Sequence, residues 1–253
     1  MKYLLTDTEL RSRWFQDRPA VFVVEEGTIL TPSARDFIRE NNIQLCTKTS
    51  AQAGMSRTPI PTRDGKPVYQ VEATGKEVTE KPEDMTHLRG NLLVPKTHPQ
   101  IAFRGKLDTL QAQMLGVQLV ADECGEPRVV EDLEDILGYA RAILAAEVKD
   151  EPLPELKIMG LNSAEIRRQS HHVKTVFGIE HPIPNYKMGR LCVALNRLRA
   201  QVREVELCAA QTFGQGDIAP RKDIIEGLNR MSSCVYIILC RKLSGFYEKE
   251  KHA

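Results

Sequence analysis

Leu191, Leu195, Leu198, Val202, Val205 and Ala209 recur at steps of three and four, the spacing that lines apolar side chains along one side of an α-helix. Ile224, Leu228, Met231, Val235 and Ile238 repeat the pattern further on. From Pro99 onward this periodicity and its punctuation predict five helices, over residues 99–122, 127–149, 163–177, 186–213 and 221–243. Asn162 followed three residues later by Glu165 is a capping box. Gly125, Gly160, Gly178 and Gly214 fall between the segments, where helices stop. Each helix must bury one stripe, so the expected architecture is mainly α: a five-helix bundle.

The pattern before Pro99 differs. TDTE at Thr6 to Glu9 has capping-box spacing, and VFVV and TIL read as short strands. Thr31 then caps a helix that opens on Pro32, and IQLC reads as a third strand. Residues 1–47 are therefore expected to form a small N-terminal α+β appendage. Residues 48–84, rich in Thr, Pro, Gly and Lys, read as linker or irregular structure, which leaves 85–253 as the bundle domain.

Composition narrows the class. Hydrophobic residues make up 42% of the 253 positions, enough for a core, and 27% are charged. The formal net charge of +1 gives no bulk electrostatic reason to expect nucleic acid or membrane as partner. The opening MKYLLTDTEL has no apolar run of secretory length, and CVYIILC, at 234–240, is too short to span a bilayer. The six cysteines are scattered without a C-x-x-C pair, which fits reduced thiols and a cytoplasmic location. Phosphate-loop and dinucleotide glycine patterns, H-E-x-x-H, G-x-S-x-G and paired E-x-x-H motifs are all absent.

Three groups of residues invite chemistry. Asn196, Arg199, Arg203 and Glu206 fall within roughly 80° of one another on a helix, beside the leucine arc. They form either an ordinary boundary edge with snorkelling arginines or a half-buried pair aimed at phosphate or carboxylate. Asn229, in GLNRMSS, is costly in an apolar interface unless a neighbouring helix or a ligand satisfies its amide. His171, His172 and His181 raise a zinc reading, which has no supporting cysteine or carboxylate pattern. The loop from Gly178 to Gly189, with Pro182 and Pro184, is of the kind that lines sites. A fourth oddity is the cationic start of the first bundle helix, where Lys96, His98, Arg104 and Lys106 gather although the helix dipole favours acids there.

Taken in order, LTPSARDFIRENNIQL, PKTHPQIAFRGKLDTL, GLNSAEIRRQSHHVKTVFGIEHPIP, LRAQVREVE and LNRMSSCVY resemble the cobalamin adenosyltransferases, most closely the ethanolamine-utilisation type. Val94, Lys96, Pro99, Gly105, Asp108 and Leu110 stand at the spacing found in the related propanediol-utilisation type. Arg199, Arg203 and Glu206 are similar to that type's nucleotide-binding helix, and Asn229-Arg230 to its Asn-Arg-Leu-Ser.

The resemblance implies transfer of the 5′-deoxyadenosyl group of ATP to cob(I)alamin, giving adenosylcobalamin for ethanolamine breakdown. It implies Arg203 and Glu206 as catalytic residues and Thr86, Lys96, Arg104, Lys106, Arg203 and Asn229 as ATP ligands, with Mg²⁺ alongside. It further implies an intersubunit salt bridge of Asp108 with Arg199, an apolar corrin-facing wall of Phe177, His181 and Ile183, and a homo-oligomer, expected to be a trimer. A flavin or corrinoid reductase and microcompartment shell proteins are the partners such a chain would meet, in the cytoplasm or inside a bacterial microcompartment. Three departures accompany it. KPEDMT keeps Thr86 but lacks the glycines of the broader family's phosphate loop. VYQVEATGKEV stands where some ethanolamine-type members carry a metal-binding cysteine cluster, so no structural zinc or iron is expected. Ser233 stands where the broader family has an aspartate. A corrinoid or nucleotide carrier and a microcompartment adaptor remain the alternative classes.

Overall fold

A computed structural model describes residues 4–5, 11, 21–24, 29–40, 44–47, 60–214 and 221–249. The chain divides into two compact units, 1–59 and 60–253. In the first, β1 (Leu4–Leu5) pairs in parallel with β3 (Ile29–Leu30), and β2 (Val21–Val24) in parallel with β4 (Gln44–Thr47). Helix α1 (Pro32–Glu40) links β3 to β4. Its cap is the expected one: the Thr31 hydroxyl accepts a hydrogen bond from the Ala34 amide at 3.3 Å. Ala34 and Phe37 are buried, and the Arg11 guanidinium lies 4.2 Å from the Phe37 ring centre. The TDTE stretch lies outside the described residues.

The second unit opens with strands that the Thr- and Pro-rich composition concealed. The hairpin β5 (Thr62–Arg63) and β6 (Lys66–Pro67) precedes a four-stranded sheet ordered β8-β7-β10-β9. Its members are β7 (Tyr69–Val71), β8 (Glu77–Val78), β9 (Met85–Arg89) and β10 (Leu92–Pro95). β7 and β10 run parallel, and the other neighbouring pairs run antiparallel. Strands of two or three residues are too short to display an alternating pattern, so composition alone reads them as loop.

The bundle follows: α2 (Pro99–Glu123), α3 (Pro127–Lys149), α4 (Ser163–His171), α5 (Val173–Phe177), a 3₁₀ turn (Tyr186–Met188), α6 (Gly189–Phe213), α7 (Lys222–Leu243) and a short α8 (Phe246–Lys249). α2 and α6 are antiparallel: Phe103 meets Phe213 edge-on at 5.3 Å, while Arg190 near the start of α6 pairs with Glu123 at the end of α2. Phe103, Leu107, Leu110 and Met114 of α2 join the periodic leucines of α6 and the Leu228–Val235 stripe of α7 in one core. The mainly α bundle with a small α+β appendage is what the periodicity required.

Two helix boundaries differ from expectation. The 163–177 helix breaks at His172, whose backbone (φ −116°, ψ 49°) turns the chain so that Val173 is buried. The 186–213 helix begins as a 3₁₀ turn capped by the Asn185 side chain, and Gly189, at φ 84°, separates that turn from the α-helix.

Candidate functional site

Along one side of α6 the sequence places Arg199, Arg203 and Glu206 next to its buried leucines. α7 presents Asn229, Ser232, Ser233 and Tyr236. Asn229 and Tyr236 are two helical turns apart and so share a face. Between these helices, α4 and the 178–185 loop is a cavity of about 310 Å³, lined by Ser170, His171, His181, Arg199, Arg203, Ser232, Ser233 and Tyr236. Ligand pockets span about 300–1,000 Å³, so this one lies at the small end of that range.

The arginines differ in setting. Arg199 is half-buried, its Nε is enclosed without a hydrogen-bond partner, and its guanidinium lies 5.9 Å from the Tyr236 ring centre. One Nη reaches Asn196 Oδ1 at 3.4 Å. Arg203 is exposed at the rim. Tyr236 Oη and His181 Nδ1 are 2.8 Å apart, with the two rings nearly parallel. Burial pushes the Tyr236 hydroxyl up to about 12, so it keeps its proton near neutral pH.

Asn229 answers the question its position posed: Nδ2 donates to Glu206 Oε1 on α6 at 2.8 Å. Its Oδ1 accepts from Arg230 Nη1 at 2.8 Å, and Arg230 Nε donates to Ser163 Oγ at 2.8 Å. Glu206, Asn229, Arg230 and Ser163 thus form one chain of bonds across α6, α7 and the start of α4. Arg230, Tyr236 and Ser170 were not among the expected site residues. For Tyr236 a signal existed in its seven-residue offset from Asn229.

The cationic start of α2 resolves into separate jobs. His98 is the N-cap, its Nδ1 accepting from the Gln100 amide at 3.3 Å. Arg104 turns inward. Its Nε and Nη2 donate to the two carboxylate oxygens of the fully buried Glu147 at 2.5 and 3.2 Å, and Nη2 also donates to the Leu88 carbonyl at 3.0 Å. A guanidinium so engaged anchors α2 to α3 and β9 and is not available to phosphate in this arrangement. Lys96 and Lys106 are exposed, and Thr86, half-buried on β9, pairs in register with Val94. None of these three lines the cavity.

Asp108 lies on the outer side of α2 with Ala112, Leu115 and Leu119, within roughly 60° around the helix. It makes no ion pair with Arg199 within the chain; Arg199 faces the cavity. Of the expected corrin wall, His181 lines the cavity, Ile183 is 83% exposed, and Phe177 is half-buried against the bundle core. Among the described residues no three His, Cys, Asp or Glu side chains converge to hold a metal, and the 68–78 stretch forms β7 and β8 without a thiol ligand. No described helix is long and apolar enough to cross a membrane.

Arg199 and Arg203 are the cationic side chains around this cavity in a helical bundle, the kind of group that pairs with phosphate or carboxylate. The chain belongs to the cobalamin adenosyltransferase family, whose model matches residues 78–242. It is 30% identical over 249 residues to the corrinoid adenosyltransferase EutT of Salmonella typhimurium, covering 94% of this chain and 92% of that protein. The figures for the corrinoid adenosyltransferase EutT of Escherichia coli K12 are the same. To the corrinoid adenosyltransferase PduO of Citrobacter freundii it is 28% identical over 153 residues, 57% of this chain and 43% of that protein. No solved structure matches.

Proposed function

We propose that the protein is an ATP:cob(I)alamin adenosyltransferase of the ethanolamine-utilisation type. The observation that carries this reading is the cavity, because residues from three of the segments that carry the family likeness line it: Ser170, His171 and His181 from one, the Arg199–Arg203 pair from another, and Ser232, Ser233 and Tyr236 from the last. The choice of type rests on coverage, since the likeness to EutT proteins extends across the N-terminal unit whereas that to PduO spans 57% of the chain.

In the reaction, the Co(I) electron pair forms the Co–C5′ bond as the C5′–O5′ bond of ATP breaks, and the phosphate chain leaves with the electron pair of that C–O bond. Cobalt is the nucleophile, so no serine, cysteine or histidine base is needed. The protein's work is in-line placement, charge stabilisation of the leaving group and exclusion of water. Arg203 at the rim takes the phosphate chain, with Lys96 and Lys106 as further cations. Glu206 and Asn229, which do not line the cavity and are bonded to each other beside it, are assigned to orienting the nucleotide by the family likeness alone. Mg²⁺ brought in by the nucleotide would supply further neutralisation of phosphate charge. Ile183, protruding from its loop, and His181 face the corrin. Structural zinc or iron forms no part of this reading.

The outer face of α2 and α6 supports self-association, with Asp108 meeting Arg199 of a neighbouring copy in a trimer. A reductase that supplies Co(I), and a microcompartment within the cytoplasm, complete the physiological proposal.

The test is an anaerobic assay with ATP, Mg²⁺ and chemically reduced cob(I)alamin, followed by the cobalamin absorbance change, with metal content measured on the same sample. Wild type should form adenosylcobalamin, and Arg203→Ala should lower kcat/KM by about 10²- to 10³-fold, the usual loss when a preorganised charge partner is removed. Folded wild type that binds ATP yet forms no product would leave the carrier class in its place.

A further inference from the structure

The loop of residues 178–185 joins α5 to the 3₁₀ turn and contains Pro182 and Pro184, which lack amide donors. It leaves Ile183 83% exposed, and the adjoining Tyr186 is 82% exposed. Lys174 and Glu180 pair at the first end of the loop, and Asn185 bonds the Ile183 carbonyl and the Lys187 amide at the other. These contacts are all local. Among the described residues, the hydrogen bond that ties the loop's side chains to the bundle is His181 Nδ1 with Tyr236 Oη at 2.8 Å, reinforced by ring stacking at 6.2 Å and 10°.

Tyr236 belongs to a rigid element. It sits mid-way along α7, flanked by the buried Val235 and Ile237. The other side of its contact is Arg199, whose guanidinium lies 5.9 Å from the ring centre. One side chain therefore joins the loop to the arginine side of the cavity.

We infer that Tyr236 is a positioning residue that latches the 178–185 loop, through His181, over the cavity and so presets the corrinoid-facing wall. The inference rests on the proposed function for what the loop faces, but the latch itself is a property of the free protein. The hydroxyl stays protonated, so one of its lone pairs or its O–H serves either tautomer of His181, and the bond persists whichever imidazole nitrogen carries the proton.

Tyr236→Phe tests it, because it removes the hydroxyl while keeping the ring, its stacking and its contact with Arg199. The first readout is hydrogen exchange of the 178–185 segment in ligand-free protein. Exchange should quicken about three- to tenfold in Tyr236→Phe and in His181→Ala, with no further increase in the double variant. The second is equilibrium titration with cob(II)alamin by absorbance, set beside titration with ATP. Corrinoid binding should weaken by a similar factor while ATP binding changes less than twofold. Unchanged loop exchange overturns the latch, and so does a loss confined to ATP binding. An equal loss of both ligands, or a lowered Tm, means that Tyr236 only holds the fold. If wild type binds no corrinoid, the functional reading has failed, and the exchange measurement still decides the latch.

Discussion

Arg104 and Glu147 illustrate how burial reassigns a charged residue. Glu147 is fully enclosed, and both of its oxygens receive N–H donors from Arg104, whose remaining contacts are the carbonyls of His87 and Leu88. Removing one member of a buried pair leaves the other uncompensated, typically at a cost of about 3–5 kcal/mol, whereas replacing both with apolar residues of similar volume is often neutral. Glu147→Leu should therefore lower unfolding stability by about that amount in urea, and adding Arg104→Met should restore most of it. If Arg104→Met alone left stability intact but raised KM for ATP, Arg104 would be a nucleotide ligand, as the family resemblance implies. The difference was not legible because Arg104 and Glu147 are 43 residues apart, on different helices. By contrast the Asn229–Glu206 bond joins two residues already singled out from helical phase.

At the scale of elements, legibility followed length. α6 and α7 span 25 and 22 residues, so their periodicity repeats many times and their limits fell within three residues of those expected. β5 to β8, of two or three residues each, are held by a register that no local pattern encodes. The start of α7 shows another contact hidden from the sequence. Asp223, in its first turn, accepts from Arg221 and from the Leu153 amide, each at 3.1 Å. Burial by itself would raise the Asp223 pKa, but the hydrogen bonds from Arg221 and Leu153 outweigh it and hold the carboxyl below its ordinary value. A folded-state pKa below the unfolded one contributes stability above the unfolded value, about 4, and the contribution fades as pH falls through the folded one. Asp223→Asn should thus cost stability at neutral pH, and the gap from wild type should close in acid. Urea unfolding at a series of pH values checks this; a gap that stays constant or widens toward low pH would remove the ion pair from the account.

On the scale of the whole molecule, the outward side of the α2–α6 pair is the feature a lone subunit leaves unexplained. Leu115 and Leu119 on α2 are 48% and 65% exposed, and Val193 and Leu207 on α6 are 45% and 61% exposed. Scattered surface leucines need no explanation, but on each helix these lie beside small exposed residues, Ala112 and Gly116 on α2 and Ala200 on α6. Small residues between large apolar ones let another helix approach closely. Arg203 lies only about 40° around α6 from Leu207, so the rim of the cavity borders this face. Lys96, Lys106 and Asp108, which the family likeness ties to nucleotide and interface, do not line the cavity. A neighbouring copy docked here would bring its own α2 toward Arg199 and Arg203, so that the cations would converge between subunits. Sedimentation of the wild type should then report an oligomer. Leu119→Glu combined with Leu207→Glu should yield folded monomers, because a carboxylate in an apolar contact must be desolvated without a partner. Adenosyl transfer should fall with the oligomer, by an amount comparable to Arg203→Ala. Monomers that keep full activity would confine the site to one subunit, and a monomeric wild type would leave the face without this role.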